Sequence, residues 1–260
     1  MEKVIVAKIG SVALSPEDTS IDDIVALQKQ GRRIIVTHGG GKLVTNWLEK
    51  QGIATRFING ERVTDQAALG VVIAVLTGLV NKEIVSSIQN RGGWAMGISG
   101  IDGGLIQASI KNAELGYVGN VIKVNTAPLE VLLEAGYIPV VSPISLHPVP
   151  EAREMGLNIN ADDVAGEIAT AIGAEKLILL TDVIGVCDQS GRLLPRLSIA
   201  EAEALLASGV ASGGMIPKIR ACLKALTSVS ATSIIDGRQP FALLREVEDG
   251  SGGGTTIQPG

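Results

Sequence analysis

Aromatic side chains are nearly absent from this sequence: two tryptophans, two tyrosines and two phenylalanines in 260 residues. Hydrophobic residues still make up 46% of the chain, so the core has to be built from Val, Ile, Leu and Ala. Cysteine is equally scarce. Cys187 and Cys222 have neither metal-ligand nor disulfide-framework spacing, which favours two buried thiols in a reducing cytoplasm. The two histidines, His38 and His147, join no His/Cys/Asp cluster with metal-site spacing, so no protein-held metal is expected. No Ser-His-Asp or Cys-His arrangement can be argued either. No Lys/Arg run makes a basic footprint and the net charge is −5, which disfavours nucleic acid as a partner. No stretch approaches the roughly 18 apolar residues that span a bilayer. Met1-Glu2-Lys3-Val4 runs straight into a strand-like segment with no signal peptide in view. The expectation is a soluble, cytoplasmic protein without a membrane partner.

What the chain has in excess is glycine: 32 of 260 residues, about 12% against a usual share of roughly 7%. These glycines fall in short clusters, which suits loops where backbone approaches a ligand. Continuous apolar runs at 4–7, 34–36, 94–98, 137–141, 177–180 and 232–235 read as strands buried on both faces. Segments 21–30, 43–51, 66–89, 128–135, 161–172 and 216–226 repeat apolar residues near the helical period. Strand–helix alternation predicts a three-layer α/β/α sandwich with an open, mainly parallel sheet. Two regions break it. Residues 107–124 read as a hairpin with Gly119-Asn120 as the turn, and 186–194 as a second hairpin around Ser190-Gly191. Thr255-Thr256-Ile257 reads as a short terminal edge strand. No linker, repeat or charge run separates independent domains.

In open α/β sheets ligands gather at the carboxyl ends of the strands, and five features at strand ends or in loops before helices are candidates. Lys8 follows the first strand and precedes Gly10-Ser11, suited to phosphate oxygens; an ordinary solvated lysine is the plain alternative. Gly39-Gly40-Gly41 joins a strand to a helix, where unpaired amides and the helix dipole favour anions; a tight turn is the other reading. Asn158, Asn160 and Asp162 alternate on the way into a helix. Capping accounts for one of them comfortably, not for three. Lys218 follows Gly213-Gly214 in the first turn of a helix, where a cation opposes the dipole unless an anion binds nearby. Arg62 precedes another helix; its planar fork suits a carboxylate, or it pairs with Glu61 or Asp65. The chain lacks G-x-x-x-x-G-K-[ST] and a placed G-x-G-x-x-G. Separated lysines, glycine loops, an arginine and a carboxylate together fit phosphoryl transfer.

In order along the chain, AKIGSVAL (7–14), THGGGK (37–42), NGERVTD (59–65), GLVNKEIV (78–85), ISGIDGGLI (98–106), GYVGNV (116–121), GYIPVVSPI (136–144), NINADD at the head of 158–186, GGMIPKI (213–219), IIDGR (234–238) and GTTI (254–257) resemble the acetylglutamate kinases of the amino-acid kinase superfamily. The resemblance covers almost the whole chain; NGERVTD with NINAD is its most specific part. It implies a carbamate kinase-like fold in one amino-acid kinase domain over 1–260. Within that domain, lobe 1–173 would bind acetylglutamate and form a homodimer contact, and lobe 174–260 would bind ATP. It implies phosphorylation of the side-chain carboxylate of N-acetyl-L-glutamate in arginine biosynthesis. Lys8 and Lys218 match the lysines that stabilise the phosphoryl group, and Asp162 the carboxylate that holds them. Gly40 and Gly41 match the amides facing the reacting oxygens. Arg62 matches the α-carboxylate clamp, and Asn158 the residue beside the acetamido group. Gly10, Ser11, Thr181, Asp182, Gly185 and Met215 fall where the nucleotide is held, with Mg2+ carried mainly by its phosphates.

Three departures qualify the match. Ser11 replaces a usual glycine, Ile101 stands where a lysine is common, and no helix precedes the first strand. The last points to the dimeric, arginine-insensitive type. The rival readings are a kinase for an N-blocked 2-aminoadipate in lysine biosynthesis and a catalytically silent ligand-sensing relative. One methylene is worth only about 1–3 kcal/mol of discrimination.

Overall fold

The computed structural model describes residues 3–10, 18–58, 60–147 and 156–260. Its first half runs β1 (Val4–Ile9), α1 (Ser20–Lys29), β2 (Arg33–His38), α2 (Gly41–Lys50), β3 (Phe57–Ile58), β4 (Glu61–Arg62) and α3 (Gln66–Ile73). A π-helical stretch, Ala74–Val80, leads into α4 (Asn81–Asn90), followed by β5 (Ala95–Gly100), β6 (Ile106–Ile110) and β7 (Gly119–Val124). Then come α5 (Ala127–Glu134), β8 (Ile138–Ser145), β9 (Leu157–Asn158), α6 (Ala161–Ile172) and β10 (Lys176–Thr181). The chain ends with β11 (Arg196–Ser198), α7 (Ile199–Ala207), α8 (Met215–Ala225), β12 (Ala231–Asp236), α9 (Ala242–Glu248) and β13 (Thr255–Gln258).

The central sheet has the order β11-β13-β12-β10-β1-β2-β8-β5, with β9 added antiparallel to β8. β1, β2, β5, β8, β10 and β12 are all parallel. Alternation along the strands sends side chains to opposite faces. Ile5, Ala7 and Ile9 meet α1, α2, α4 and α9; Val4 and Val6 meet α5, α6 and α8. Both faces of the sheet are covered, by a first core on the α1, α2, α4 and α9 side and a second core on the α5, α6 and α8 side, as the unbroken apolar strands require. β1 sits at the switch point: the chain goes from β1 to β2 on one side and returns to β10 on the other. A ligand crevice is expected at the carboxyl end of such a strand.

Several local readings need correction. Gly119 and Asn120 open β7 instead of turning the hairpin; the β6–β7 connection runs through a 3₁₀ turn at Ala113–Leu115 and Gly116, at φ 71. An added Cβ on Gly116 would lie 2.4 Å from the Thr64 carbonyl, so the tight point falls there. The 186–194 hairpin amounts to one bridge, Cys187 with Leu193, around a turn closed by Gly191 N–H to Asp188 O. β13 is not an edge strand, because β11 pairs on its outer side. α7 and α9 were not read at all; α7 is signalled by a capping box between Ser198 and Glu201. Residues 66–90 form one continuous 25-residue helix with an 18-residue stretch of mean hydropathy 1.8, long and apolar enough to cross a membrane by those measures. More than half of that stretch is buried, and the helix places Val72, Val75, Leu76, Val80, Ile84 and Ile88 in the core, as a central helix of an α/β sandwich would.

Candidate active site

Lys8 continues the Val4, Val6 face of β1, so its ammonium points toward α6 and α8. It is 8% exposed. Its Nζ lies 2.9 Å from Asp162 Oδ1, and Lys218 Nζ lies 3.0 Å from Asp162 Oδ2. Two lysines 210 positions apart therefore converge on one carboxylate. Asp162 is placed by its helix: Asn160 caps α6, its side chain accepting from the amides of Asp162 and Asp163. Gly173, in the left-handed region, ends the same helix. Burial alone would push the Asp162 carboxyl up, but the adjacent Lys8 and Lys218 ammonium groups outweigh it and hold the pKa below its ordinary value. The cluster is a buried centre with one net positive charge.

Two cavities meet at this centre. The smaller, about 220 Å³, is lined by Lys8, Gly39, Gly40, Gly41, Arg62, Asn158 and Asp162, with Val44, Val72, Leu76 and Pro143 among its apolar walls. The larger, about 500 Å³, is lined by Lys8, Gly10, the same three glycines, Lys42, Thr181, Asp182, Gly214, Lys218 and Gly237. Lys8 and the glycine loop belong to both.

The loop lies between β2 and α2, where the first amides of a helix have no intrahelical partner. Gly40 has a packing reason as well: an added Cβ would stand 2.7 Å from Leu76 Cδ2 and 3.0 Å from Val80 Cγ2. In the smaller cavity Arg62 is buried, and burial lowers its pKa. Its Nη2 donates to Gly41 O at 2.9 Å and Thr45 Oγ1 at 2.7 Å, and its guanidinium lies 4.8 Å from the Phe57 ring centroid. Among the described residues no carboxylate pairs with it; Glu61 is taken by Lys111 at 2.9 Å. Asn158 donates to Thr64 Oγ1 and borders the same cavity.

Of the sequence-derived set, Lys8, Asp162 and Lys218 touch, Gly40, Gly41, Arg62 and Asn158 line one cavity, and Gly10, Thr181 and Asp182 line the other. Gly185 and Met215 are absent from both linings. Gly185 is explained by packing, since a Cβ there would meet Leu193 Cδ1 at 2.6 Å and Thr255 Oγ1 at 2.9 Å. Met215 packs against the second core. Ser11 lies outside the described residues. Asp18, Ser20, Lys42 and Gly237 are lining residues to which the sequence reading gave no role. Only Gly237 carried a signal, at the end of a recognised strand. Ile101 packs against the first core, so an apolar side chain suits that position.

A doubly wound sandwich with a cationic centre between two cavities defines an enzyme that transfers an anionic group between small molecules. The chain belongs to the amino acid kinase family, whose model matches residues 3–236. It is 48% identical over 254 residues to the acetylglutamate kinase of Dehalococcoides mccartyi strain CBDB1, covering 97% of this chain and 93% of that one. It is 49% identical over 263 residues to the acetylglutamate kinase of Nostoc sp. PCC 7120, covering 98% and 87%. Among solved structures, smu.665 from Streptococcus mutans UA159 superposes with a TM-score of 0.85 at 29% identity over 100% of both chains.

Proposed function

We propose that this chain transfers the γ-phosphoryl group of ATP to the side-chain carboxylate of N-acetyl-L-glutamate, as an acetylglutamate kinase of arginine biosynthesis. The observation that carries the reading is the Lys8–Asp162–Lys218 cluster at the junction of the two cavities. The smaller cavity takes the amino-acid derivative: Arg62, without a carboxylate partner among the described residues, clamps the α-carboxylate, and Asn158 faces the acetamido group. The larger takes ATP against Gly10, Thr181 and Asp182. Residues 1–173 and 174–260 then act as acceptor and nucleotide lobes.

An oxygen of the ionised acceptor carboxylate attacks Pγ in line, the bond from Pγ to the β,γ-bridging oxygen breaks, and ADP leaves. The product is an acyl phosphate, and no proton has to move. Lys8 and Lys218 neutralise charge on the transferring group, and Asp162 keeps both ammonium groups in place. The amides of Gly40 and Gly41 donate to its oxygens. Positioning and charge stabilisation of this kind suffice for phosphoryl transfer. Mg2+ carried in on the nucleotide would supply charge shielding at the phosphates. Both Asp162 oxygens are engaged by lysines, and the described residues contain no cluster of three or more His, Cys, Asp or Glu groups. Phosphates and water would supply most of its ligands, and Asp18 and Asp182 are the carboxylates on that wall.

The protein works in the cytoplasm as a homodimer. β5 is an edge strand, and Leu79, Trp94 and Met96, on it and on the neighbouring helical segment, are exposed apolar residues that a second copy would cover. ADP release with acetylglutamate, acetylaminoadipate, glutamate and UMP, each with and without magnesium, tests the assignment. Turnover on acetylglutamate with magnesium is the expected result; turnover on UMP alone would overturn it. Activity on none of the four would favour a ligand sensor.

A further inference from the structure

Phosphoryl transfer as described makes no use of the histidine beside the glycine loop. His38 follows Ile34 and Val36 on β2, so it faces the helical layer that holds α4, opposite to the layer that receives Lys8. It is 1% exposed. Its Nδ1 lies 2.8 Å from the Gly39 carbonyl oxygen. A carbonyl only accepts, so Nδ1 carries the proton. Nε2 lies 3.2 Å from Asn81 Nδ2, a donor, and therefore accepts.

The orientation of Asn81 is fixed independently. Its Nδ2 also donates to Val140 O at 2.9 Å, and its Oδ1 accepts from Lys82 Nζ at 3.0 Å. Asn81 is 1% exposed as well. β5 makes room for it with Gly97, where an added Cβ would fall 1.9 Å from Asn81 Oδ1. Asn81 directly follows the π-helical stretch, and Leu76 and Val80 of that stretch press on Gly40. π-helical turns recur at functional sites because they re-aim the residues around them. One helix thus holds the loop twice, by a hydrogen-bonded chain to Gly39 and by contact with Gly40.

The consequence follows from peptide geometry. The Gly39 C=O and the Gly40 N–H belong to one planar trans unit and point in opposite directions. A histidine that draws the carbonyl toward the Asn81 layer turns the Gly40 N–H the other way, toward the side of the sheet where Lys8 and Asp162 sit.

We propose that His38, held by Asn81, is a positioning residue of the phosphoryl transfer: it fixes the Gly39–Gly40 peptide plane and so aims the Gly40 amide at the transferring group. The inference rests on the kinase reading for its catalytic consequence, not for the clamp itself. A ring that must stay neutral to accept at Nε2 agrees with its burial, which pushes the His38 pKa down to about 4; the Gly39 bond opposes this, and the nearby Lys8 and Lys82 charges add to it.

Two variants separate positioning from packing. His38→Phe keeps a ring and loses both bonds; His38→Asn keeps a donor near the Nδ1 position but leaves a cavity. Positioning predicts that His38→Phe lowers kcat by about 10- to 100-fold with KM for ATP and acetylglutamate nearly unchanged. It also predicts that His38→Asn is the more active of the two even where its Tm is the lower. Activities that follow Tm, or a wild-type kcat in His38→Phe, overturn the proposal. The ring nitrogens of the unmodified protein give a test that needs neither folding of a variant nor turnover. Nitrogen-15 NMR should show a neutral Nδ1–H tautomer at pH 7, and an Nε2–H tautomer or an imidazolium overturns the clamp. A wild-type protein inactive on acetylglutamate sinks the kinase reading, and the ring signal then still decides whether the clamp exists.

Discussion

Asp162 and Lys218 touch, yet removing each should do different things. Lys218→Ala takes away one of two ammonium groups at the transfer centre and leaves Asp162 paired with Lys8. Loss of one transition-state donor or cation of this kind costs on the order of 10²–10³ in kcat, with Tm almost unchanged. Asp162→Ala leaves two lysines, with side chains only 10% and 14% exposed, facing each other without a counter-charge. Removing one partner of a buried ionic network typically costs about 3–5 kcal/mol, so this variant should lose stability as well as turnover. Thermal melts beside steady-state kinetics on the two variants check the contrast. Equal Tm losses would make Lys218 a structural lysine. Gly40→Ala belongs at the same scale. Its methyl meets Leu76 and Val80 in a filled core, where overpacking costs about 1–3 kcal/mol. Chemical denaturation should show that loss, and kcat should fall with it because the loop has to shift.

Between elements, a buried long-range polar tie outside the site joins α1 to α9. Asp23 is 1% exposed; its Oδ2 accepts from the amides of Leu243 and Leu244, while its Oδ1 is buried with no hydrogen-bond partner among the described residues. Burial raises its pKa to about 6 against the two backbone bonds, with Asp18 and Asp22 adding to the rise. A carboxyl with a raised folded-state pKa stabilises the fold below its unfolded value near 3.8, and that contribution is lost as pH rises through about 6. His38 acts with the opposite sign. Its pKa is depressed to about 4, so its contribution is intact above 6.5 and is lost as pH falls toward 4. Asp23→Asn removes the first effect and keeps an acceptor for α9. The Tm of the variant minus that of the wild type should therefore grow more positive between pH 4 and pH 7. A constant difference would show that Asp23 is not protonated in that range.

The same tie shows what the sequence could reveal. α6 was legible to the residue because Asn160, Gly173 and the helical period agree, and the six parallel strands were legible as unbroken apolar runs. α9 was missed because its first amides are held from far away in the chain, by Asp23; α7 carried a local signal, the Ser198–Glu201 capping box, that a reading by apolar periodicity passes over. Within the site, Lys8, Asp162 and Lys218 could be nominated from strand-end and helix-start positions together with the resemblance. Lys42, Asp18 and Ser20 could not, since lining a cavity is a property of the folded surface and leaves no local pattern.

At the scale of the whole molecule, the sheet ends differently on its two sides. On one side the terminal strand β11 is short, and β13 lies antiparallel to β12 just inside it. On the other, β5 runs six residues and no strand among the described residues pairs with its outer edge. Trp94 at its start is 63% exposed and Met96 within it 40%. A long apolar edge is an association surface unless it is covered, and a second copy related by two-fold symmetry is the commonest cover. Sedimentation equilibrium should therefore give a dimer. A Met96→Glu substitution, which sets like charges against each other across such an axis, should shift it to monomer at micromolar concentration. Neither Trp94 nor Met96 lines either cavity, so the monomer should bind ATP and acetylglutamate with KM values close to the wild type. Its kcat is the more sensitive quantity, because Lys82, which donates to Asn81, also donates to the carbonyl of Gly97, next to Met96. A dimer that survives Met96→Glu unchanged would place the contact on another face and disconnect association from the glycine loop.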